Sequence, residues 1–364
     1  MRAIGILFIA QATDALDCIK NISSPGHLPA SVIPKHYHLN LSFPDPNSAS
    51  NTDRPLAYAG IVEISADVAI STACVILHAG ADLNVTGVDV GGVGVSDVTH
   101  DRLAQILVIS LGPSGVAEGA QLSLVVSFEG VIRDDLDPGN DNAHGIFLSP
   151  NTVPPPADDG ANSFQLPSAL TEWRLKSGTP KSRNGRWRSS LSAARRDGSP
   201  LLIATQFEQS DARTMFPCVD EPAYKATFSA TISVPARTAS SLTVLFNTAE
   251  TSPPHLDKSR GVQVFSFKRT LHPLPTYLVA VVVGSFDFVS RTSRGIEYRV
   301  FTPPGYAAWG NLAMNATVHA VEFFGDKFGL RYEMMNSKLD SVSIGGIDME
   351  RRRLALALSL RQQR

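Results

Sequence analysis

Alternation of apolar and polar residues with a period of two runs through most of this chain, and it limits the fold to sheets with one buried face. In HYHLNLSF, Tyr37, Leu39, Leu41 and Phe43 fall on one side, while His36, His38, Asn40 and Ser42 fall on the other. Val62, Ile64, Ala66, Val68 and Ile70 alternate with Glu63, Ser65 and Asp67. Leu122, Leu124, Val126 and Phe128 repeat the pattern, as do Ala226, Phe228, Ala230, Ile232 and Val234. Further short strands fit at 104–111, 242–247, 262–268 and 278–288, with turn residues between them. An all-β, sandwich-like antiparallel domain over residues 28–290 accounts for this pattern.

Two regions depart from it. Residues 134–200 read as an inserted loop: PPPADDGANS is rich in Pro, Gly and Asp, and 174–196 is basic around Trp173 and Trp187. No nucleic-acid-binding fold surrounds that basic run, so it reads as a surface loop and no nucleic-acid partner is expected. After residue 290 the period changes. IEYRVFTPP reads as a strand, GNLAMNATVHAVEFFGDKFG as a helix with Ala313, Ala316, Ala320 and Phe324 on its apolar face, and KLDSVSIGG as another strand. Residues 291–364 are thus the start of an α/β unit, in which Val318, Val321, Phe323, Phe324 and Phe328 cannot all be covered.

A chain of 364 residues with net charge −2 has no global pull toward nucleic acid or anionic membrane. Three widely spaced cysteines, Cys18, Cys74 and Cys218, exclude a disulfide framework and a cysteine zinc cluster. They leave open one bridge or a set of buried thiols. Residues 1–27 read as a short signal peptide and leader, with Ala10-Gln11-Ala12 as the cleavage signal, or as a disordered start. Sequons at Asn21, Asn40, Asn84 and Asn315 favour an extracellular or cell-surface protein, with the cytoplasm as the alternative. No apolar run is long enough to form a membrane anchor.

No histidine among the nine is followed by glutamate, so H-E-x-x-H is absent, and no P-loop or G-x-S-x-G elbow occurs. His36 and His38 share a strand face but lack a third ligand, so no metal residue is assigned. The densest chemistry lies in ATQFEQSDARTMFPCVDEPAYKATF, residues 204–228. Alternation there puts Gln206 and Glu208 on one face, a carboxamide beside a carboxylate, which suits an α-ammonium. Ser210 is expected to cap a short helical turn from Asp211 to Phe216, and Arg213 to pair with Asp220 or Asp211.

The same stretch resembles the signature near the end of the N-terminal β domain of the aminopeptidase N-like zinc metallopeptidases. LPASVIPKHYHLNLSF, YAGIVEISADV, VILHAGADLNV, LSLVVSFEGVIRDDL, TYLVAVVVGSFDFV and YRVFTPPG with AVEFFGDKFGLRYEMMNSKLD resemble that family's segments in the same order. GRWRSS at 185–190 approximates the segment before ATQFE. The resemblance implies a saddle-like β domain leading into a thermolysin-like domain, and a family that removes N-terminal residues from peptides with zinc-activated water. It implies that Glu208 and Gln206 bind the substrate's α-amine, and that Asp211, Arg213, Asp220 and Glu221 brace the turn.

The departures lie near the C-terminal end. The family continues from KLD to a Gly-Ala-Met-Glu-Asn segment whose Glu grips the amine, whereas here SVSIGGIDMERRR matches it only at Met349 and Glu350. The zinc helix, the later Glu ligand and the transition-state tyrosine are not found, so no cofactor is expected in this chain although the family carries zinc. Two readings follow. One is the substrate-recognition part of a zinc aminopeptidase, cut short by truncation, splicing or a faulty gene model and inactive alone. The other is a non-catalytic peptide- or protein-binding β domain. Peptide N-termini are the expected partners in either case, and membrane association belongs to the parent protein.

Overall fold

The computed structural model describes residue 18 and residues 27–51, 55–112, 115–133, 145–151 and 198–344. In chain order its strands are β1 (Val32–Ser42), β2 (Leu56–Val68), β3 (Cys74–His78), β4 (Asn84–Val90), β5 (Val95–Asp101), β6 (Ile106–Leu111), β7 (Gln121–Ile132), β8 (Gly145–Pro150) and β9 (Leu201–Gln206). They continue as β10 (Thr227–Pro235), β11 (Thr243–Phe246), β12 (His255–Asp257), β13 (Val262–Phe267), β14 (Val281–Gly284), β15 (Asp287–Ser293), β16 (Ile296–Thr302) and β17 (Lys338–Val342).

The strands form four sheets. A seven-stranded sheet runs β12-β13-β10-β1-β2-β7-β4, and a four-stranded sheet runs β11-β14-β9-β8. Two three-stranded sheets run β3-β6-β5 and β15-β16-β17. The chain is mainly β, and most pairings are antiparallel, as the alternation predicts. The exceptions are β1 with β10 and β16 with β17, which are parallel. Period two reports which face a residue occupies but not the direction of the neighbouring strand, so these pairings were not readable from the sequence.

The large sheet buries the side that alternation assigned to it. Tyr37, Leu39, Leu41, Val62, Leu124, Val126, Phe228 and Ile232 all lie in one core, which the β3-β6-β5 sheet also enters through Val75, Leu107 and Ile109. The four-stranded sheet is different, because both of its faces are covered. Ile146, Leu148, Leu201, Ile203, Val281 and Val283 face that main core. Phe147, Leu202, Ala204, Leu245 and Val282 instead pack with Phe301, Val342 and Ile344. This explains why LLIA and VVV are apolar without interruption: a strand buried on both sides has no polar alternate positions. It also corrects the loop expected at 134–200, since Gly145–Pro150 is a strand that pairs along its length with β9. The basic run at 174–196 and its tryptophans lie outside the described residues.

After β14, sheet β15-β16-β17 carries one long helix, Gly310–Phe328, which ends where Gly329 adopts φ of 68°. That helix turns a different face to its sheet from the one expected. Met314, Val318 and Val321 are buried against Ile296, Tyr298 and Val300. Ala313, Ala316 and Ala320 are exposed. The larger side chains take the core because they remove more apolar area from water than alanines at the same spacing. Phe323, Phe324 and Phe328 remain outside, at 56%, 41% and 67% exposure.

The cysteines resolve into one bridge and one thiol. Cys18 is bonded to Cys74 across a separation of 56 residues, and Cys218 is free and buried. Burial pushes the Cys218 thiol well above its usual pKa, which leaves it unreactive.

Candidate functional site

The segment 201–221 starts as the inner strand of the doubly covered sheet. β9 lies between β14 and β8, and its last residue, Gln206, pairs with Gly145. Phe207 then turns into the core at 1% exposure and meets the Phe216 ring edge-on at 6.2–6.3 Å centroid distances in a Tyr37–Phe216–Phe207 row. With Phe207 buried, Gln206 is half-buried and Glu208 is exposed. Phe207, between them, takes the core side. The strand itself ends at Gln206, and Glu208 belongs to the turn that follows, where the Glu208–Gln209 peptide is cis.

The turn is held by its backbone rather than by a serine cap. The short helical segment is a 3-10 turn, Ala212–Thr214, with Asp211 at its N-cap position and no side-chain capping bond. The Ser210 cap expected over Asp211–Phe216 does not form. Asp211 N–H donates to Phe207 O (3.0 Å), Thr214 N–H to Asp211 O (3.0 Å) and Phe216 N–H to Ala212 O (3.1 Å). Gly145 allows β8 to begin against this turn, since its φ is +78° and a Cβ would overlap the Thr214 hydroxyl.

Asp220 is the centre of the brace. Its Oδ2 accepts from Arg213 Nε (3.1 Å) and from the Arg213 backbone N–H (3.2 Å), and its Oδ1 accepts from the Thr276 hydroxyl (2.6 Å). Arg213 Nη2 reaches the Asp220 backbone oxygen at 3.2 Å, so the guanidinium grips residue 220 and not Asp211. Asp220 is 2% exposed, and a carboxylate that deep is tolerated only with such partners. Glu221 closes the other side, accepting from Leu28 N–H (2.7 Å) and pairing with His27 Nδ1 (2.9 Å).

Several further residues hold the turn. His78 exchanges backbone bonds with Cys218, and its Nδ1 accepts from Asp220 N–H at 3.1 Å. Tyr58 donates its hydroxyl to Met215 O (2.7 Å), and Tyr37 OH accepts from Val219 N–H (3.1 Å). Burial pushes both tyrosines above their ordinary pKa, so both hydroxyls stay protonated, Tyr58 as a donor and Tyr37 as an acceptor here. A histidine in the apolar run VILHAG was the one available sequence signal; the tyrosines read simply as core residues.

Among the described residues no group of three or more His, Cys, Asp and Glu is placed to hold a metal. His36 and His38 do share one face, but their rings are committed to hydroxyls of β10. His36 meets Thr227 and Ser229 at 2.9 and 3.0 Å, and His38 meets Ser229 and Thr231 at 2.8 and 3.3 Å. The described residues therefore do not fit the zinc ion that the resemblance implies, and no chemical step is derived through it. Glu350 lies outside the described residues.

Residues 181–278 match the family model of the peptidase M1 N-terminal domain. Over 88% of its length the chain is 28% identical to aminopeptidase M1-A of Oryza sativa subsp. japonica, covering 29% of that protein. It is 29% identical over 88% of its length to human aminopeptidase Q, covering 28% of it. A shorter match, 35% identical over 41% of the chain, covers 15% of the puromycin-sensitive aminopeptidase of Caenorhabditis elegans. The chain thus spans less than a third of the length of these curated relatives.

Proposed function

Because the chain belongs to the M1 aminopeptidase family, we propose that residues 206–208 recognise the free α-amino group of a peptide substrate. The observation that carries this reading is the exposed Glu208 carboxylate, two residues beyond a buried strand and anchored by Phe207. An α-ammonium has three donors. Glu208 supplies the opposite charge and one or two acceptors, and the Gln206 carbonyl oxygen supplies another. Glu350 is the third acceptor in this reading, on the strength of its match to the family's amine-binding glutamate. Asp211, Arg213, Asp220 and Glu221 hold the turn and do not touch the peptide.

The 364 residues contain no H-E-x-x-H, so recognition without hydrolysis is the activity proposed for this stretch as it stands. The Cys18–Cys74 bridge supports an extracellular or cell-surface location, because disulfides persist in oxidising compartments. Membrane association is left to the parent protein; among the described residues no helix is long and apolar enough to cross a membrane.

Calorimetric titration with a peptide and its N-acetylated form tests the reading. A charge-assisted hydrogen bond contributes about 1.5–3 kcal/mol, so acetylation and Glu208→Gln should each weaken binding roughly tenfold or more. Equal affinity for the two peptides would remove the amine-recognition reading. Chelator-sensitive hydrolysis of an aminoacyl chromogenic substrate would remove the claim of recognition without turnover.

A further inference from the structure

The end of the seven-stranded sheet and the end of one three-stranded sheet face each other across a narrow cleft. β4 is the terminal strand of the first and β5 the terminal strand of the second. The cleft between them has a volume of about 280 Å³, and Val85, Val98, Leu107, His100 and Arg102 line it together with Asn84. Asn84 opens the sequon Asn84-Val85-Thr86. We infer that Asn84 carries an N-linked glycan whose first sugar occupies this cleft and shields the two open sheet edges.

The folded surroundings favour this sequon over the one at Asn40. Transfer takes place on the nascent chain before it folds, so the folded structure bears on whether an attached glycan has room. Asn84 and Thr86 are both exposed. The ladder from β4 to β7 slips between Val85 and Gly87, which makes Thr86 the unpaired residue of a bulge at a sheet edge. Asn315 lies inside the helix Gly310–Phe328, where Asn315 is exposed and Thr317 is half-buried. Asn40 is half-buried in β1, which is paired on both sides, opposite Thr231 and Ile61. Asn21 lies outside the described residues.

The cleft suits a pyranose ring, with Val85 and Val98 for its C–H face. His100 and Arg102 also line it and bond the Ala79 and Ala81 backbone oxygens, and the exposed Asn84 Nδ2 lies 3.5 Å from Glu129 Oε2. In the transfer, Asn84 Nδ2 attacks C1 of an oligosaccharide carried on a polyprenyl pyrophosphate. The C1–O bond to the pyrophosphate breaks, polyprenyl pyrophosphate leaves, and the amide nitrogen gives up one proton to a base of the transferase. No oxidation is involved. Unpaired sheet edges are templates for pairing with another chain, and a bulky hydrophilic group between two of them blocks that pairing.

This inference rests on the secretion reading, so the experiment separates the two. The chain is expressed in a eukaryotic secretory host, once with its own N-terminus and once behind an added cleavable leader. Product from the added leader is treated with peptide-N-glycosidase in ¹⁸O water, and peptides are mapped by mass. Asn84 converted to labelled aspartate is the expected result, and the glycan mass at that site should vanish in Asn84→Gln and in Thr86→Ala. An unlabelled Asn84 in the wild-type chain would overturn the proposal without depending on the folding of any variant. Loss of label only with the native N-terminus would remove the secretion reading and leave the site standing. Sedimentation before and after native deglycosylation tests the shielding: self-association should rise on glycan removal, and unchanged sedimentation would exclude that role.

Discussion

Lys338 donates from Nζ to the backbone oxygen of Phe246 at 2.9 Å, and so ties β17 to β11 across the seam between two sheets. The ammonium is 4% exposed and also pairs with Asp340, which Arg299 grips through Nε (2.7 Å) and Nη2 (2.8 Å). Asn336 adds a bond from Nδ2 to Asn247 O at 2.8 Å. The seam has an apolar layer as well, where Phe301, Val342 and Ile344 meet the outer face of the four-stranded sheet. β9, which ends at Gln206, lies in the same four-stranded sheet as β11, so this seam holds β17 against the sheet that carries Gln206.

Replacing Lys338 by methionine removes one partner from a buried ion cluster. Asp340 keeps Arg299, so the expected loss is at the low end for breaking buried pairs, about 3 kcal/mol. Urea unfolding should show it. Amide exchange should speed up in β16 and β17 well before it does in β1 or β2.

Asp220→Ala leaves Arg213 and the Thr276 hydroxyl without their buried acceptor, and a loss of about 3–5 kcal/mol is expected. A double-mutant cycle with Arg213→Ala should return a coupling well above measurement error. If Asp220 braces the recognition turn, peptide binding at Glu208 should weaken in a variant still folded under the assay conditions.

Reduction of the Cys18–Cys74 bridge should lower the melting temperature, since closing a loop across 56 residues constrains the unfolded chain by about 4 kcal/mol. Thiol titration of the unfolded chain gives a direct check. One thiol, Cys218, should react before reduction, and all three of the chain's cysteines after it.

Stability should also fall on mild acidification because of His36. Burial, then the nearby Arg269, lowers its pKa from 6.5 to about 4. The unfolded chain takes up a proton below pH 6.5, while the folded chain resists it until near pH 4. The contribution is therefore whole above pH 6.5 and is lost as the pH falls from there toward 4. Urea midpoints measured at pH 7 and pH 5 should differ, and His36→Asn should reduce the difference.

Much of this was legible in the chain because the period of the strands is local. The faces of β1, β2, β7 and β10 follow from which side chains alternate, and a buried face rejects any other register. In 204–228 the concentration of polar side chains was visible, whereas the end of the strand at Gln206 and the missing Ser210 cap were not. The Arg213–Asp220 pair was narrowed to two choices, and the choice depended on geometry that spacing does not contain. The helix shows the limit of periodicity: two stripes at the same spacing were both apolar, and only the sheet beneath could select Met314, Val318 and Val321 over the alanines.

The sequence by itself determined a mainly β chain, the side of each long strand that would be buried, and the segment where polar side chains concentrate. Tertiary structure decided which distant groups meet: His78 and Thr276 with Asp220, Lys338 with Phe246, and Cys18 with Cys74. It also decided that β1 and β10 run parallel and that the four-stranded sheet is covered on both faces. The physical reason is one of range. Backbone sterics and side-chain alternation act over a few residues, whereas desolvation and hydrogen-bond geometry between groups up to about two hundred positions apart exist only after the chain has folded.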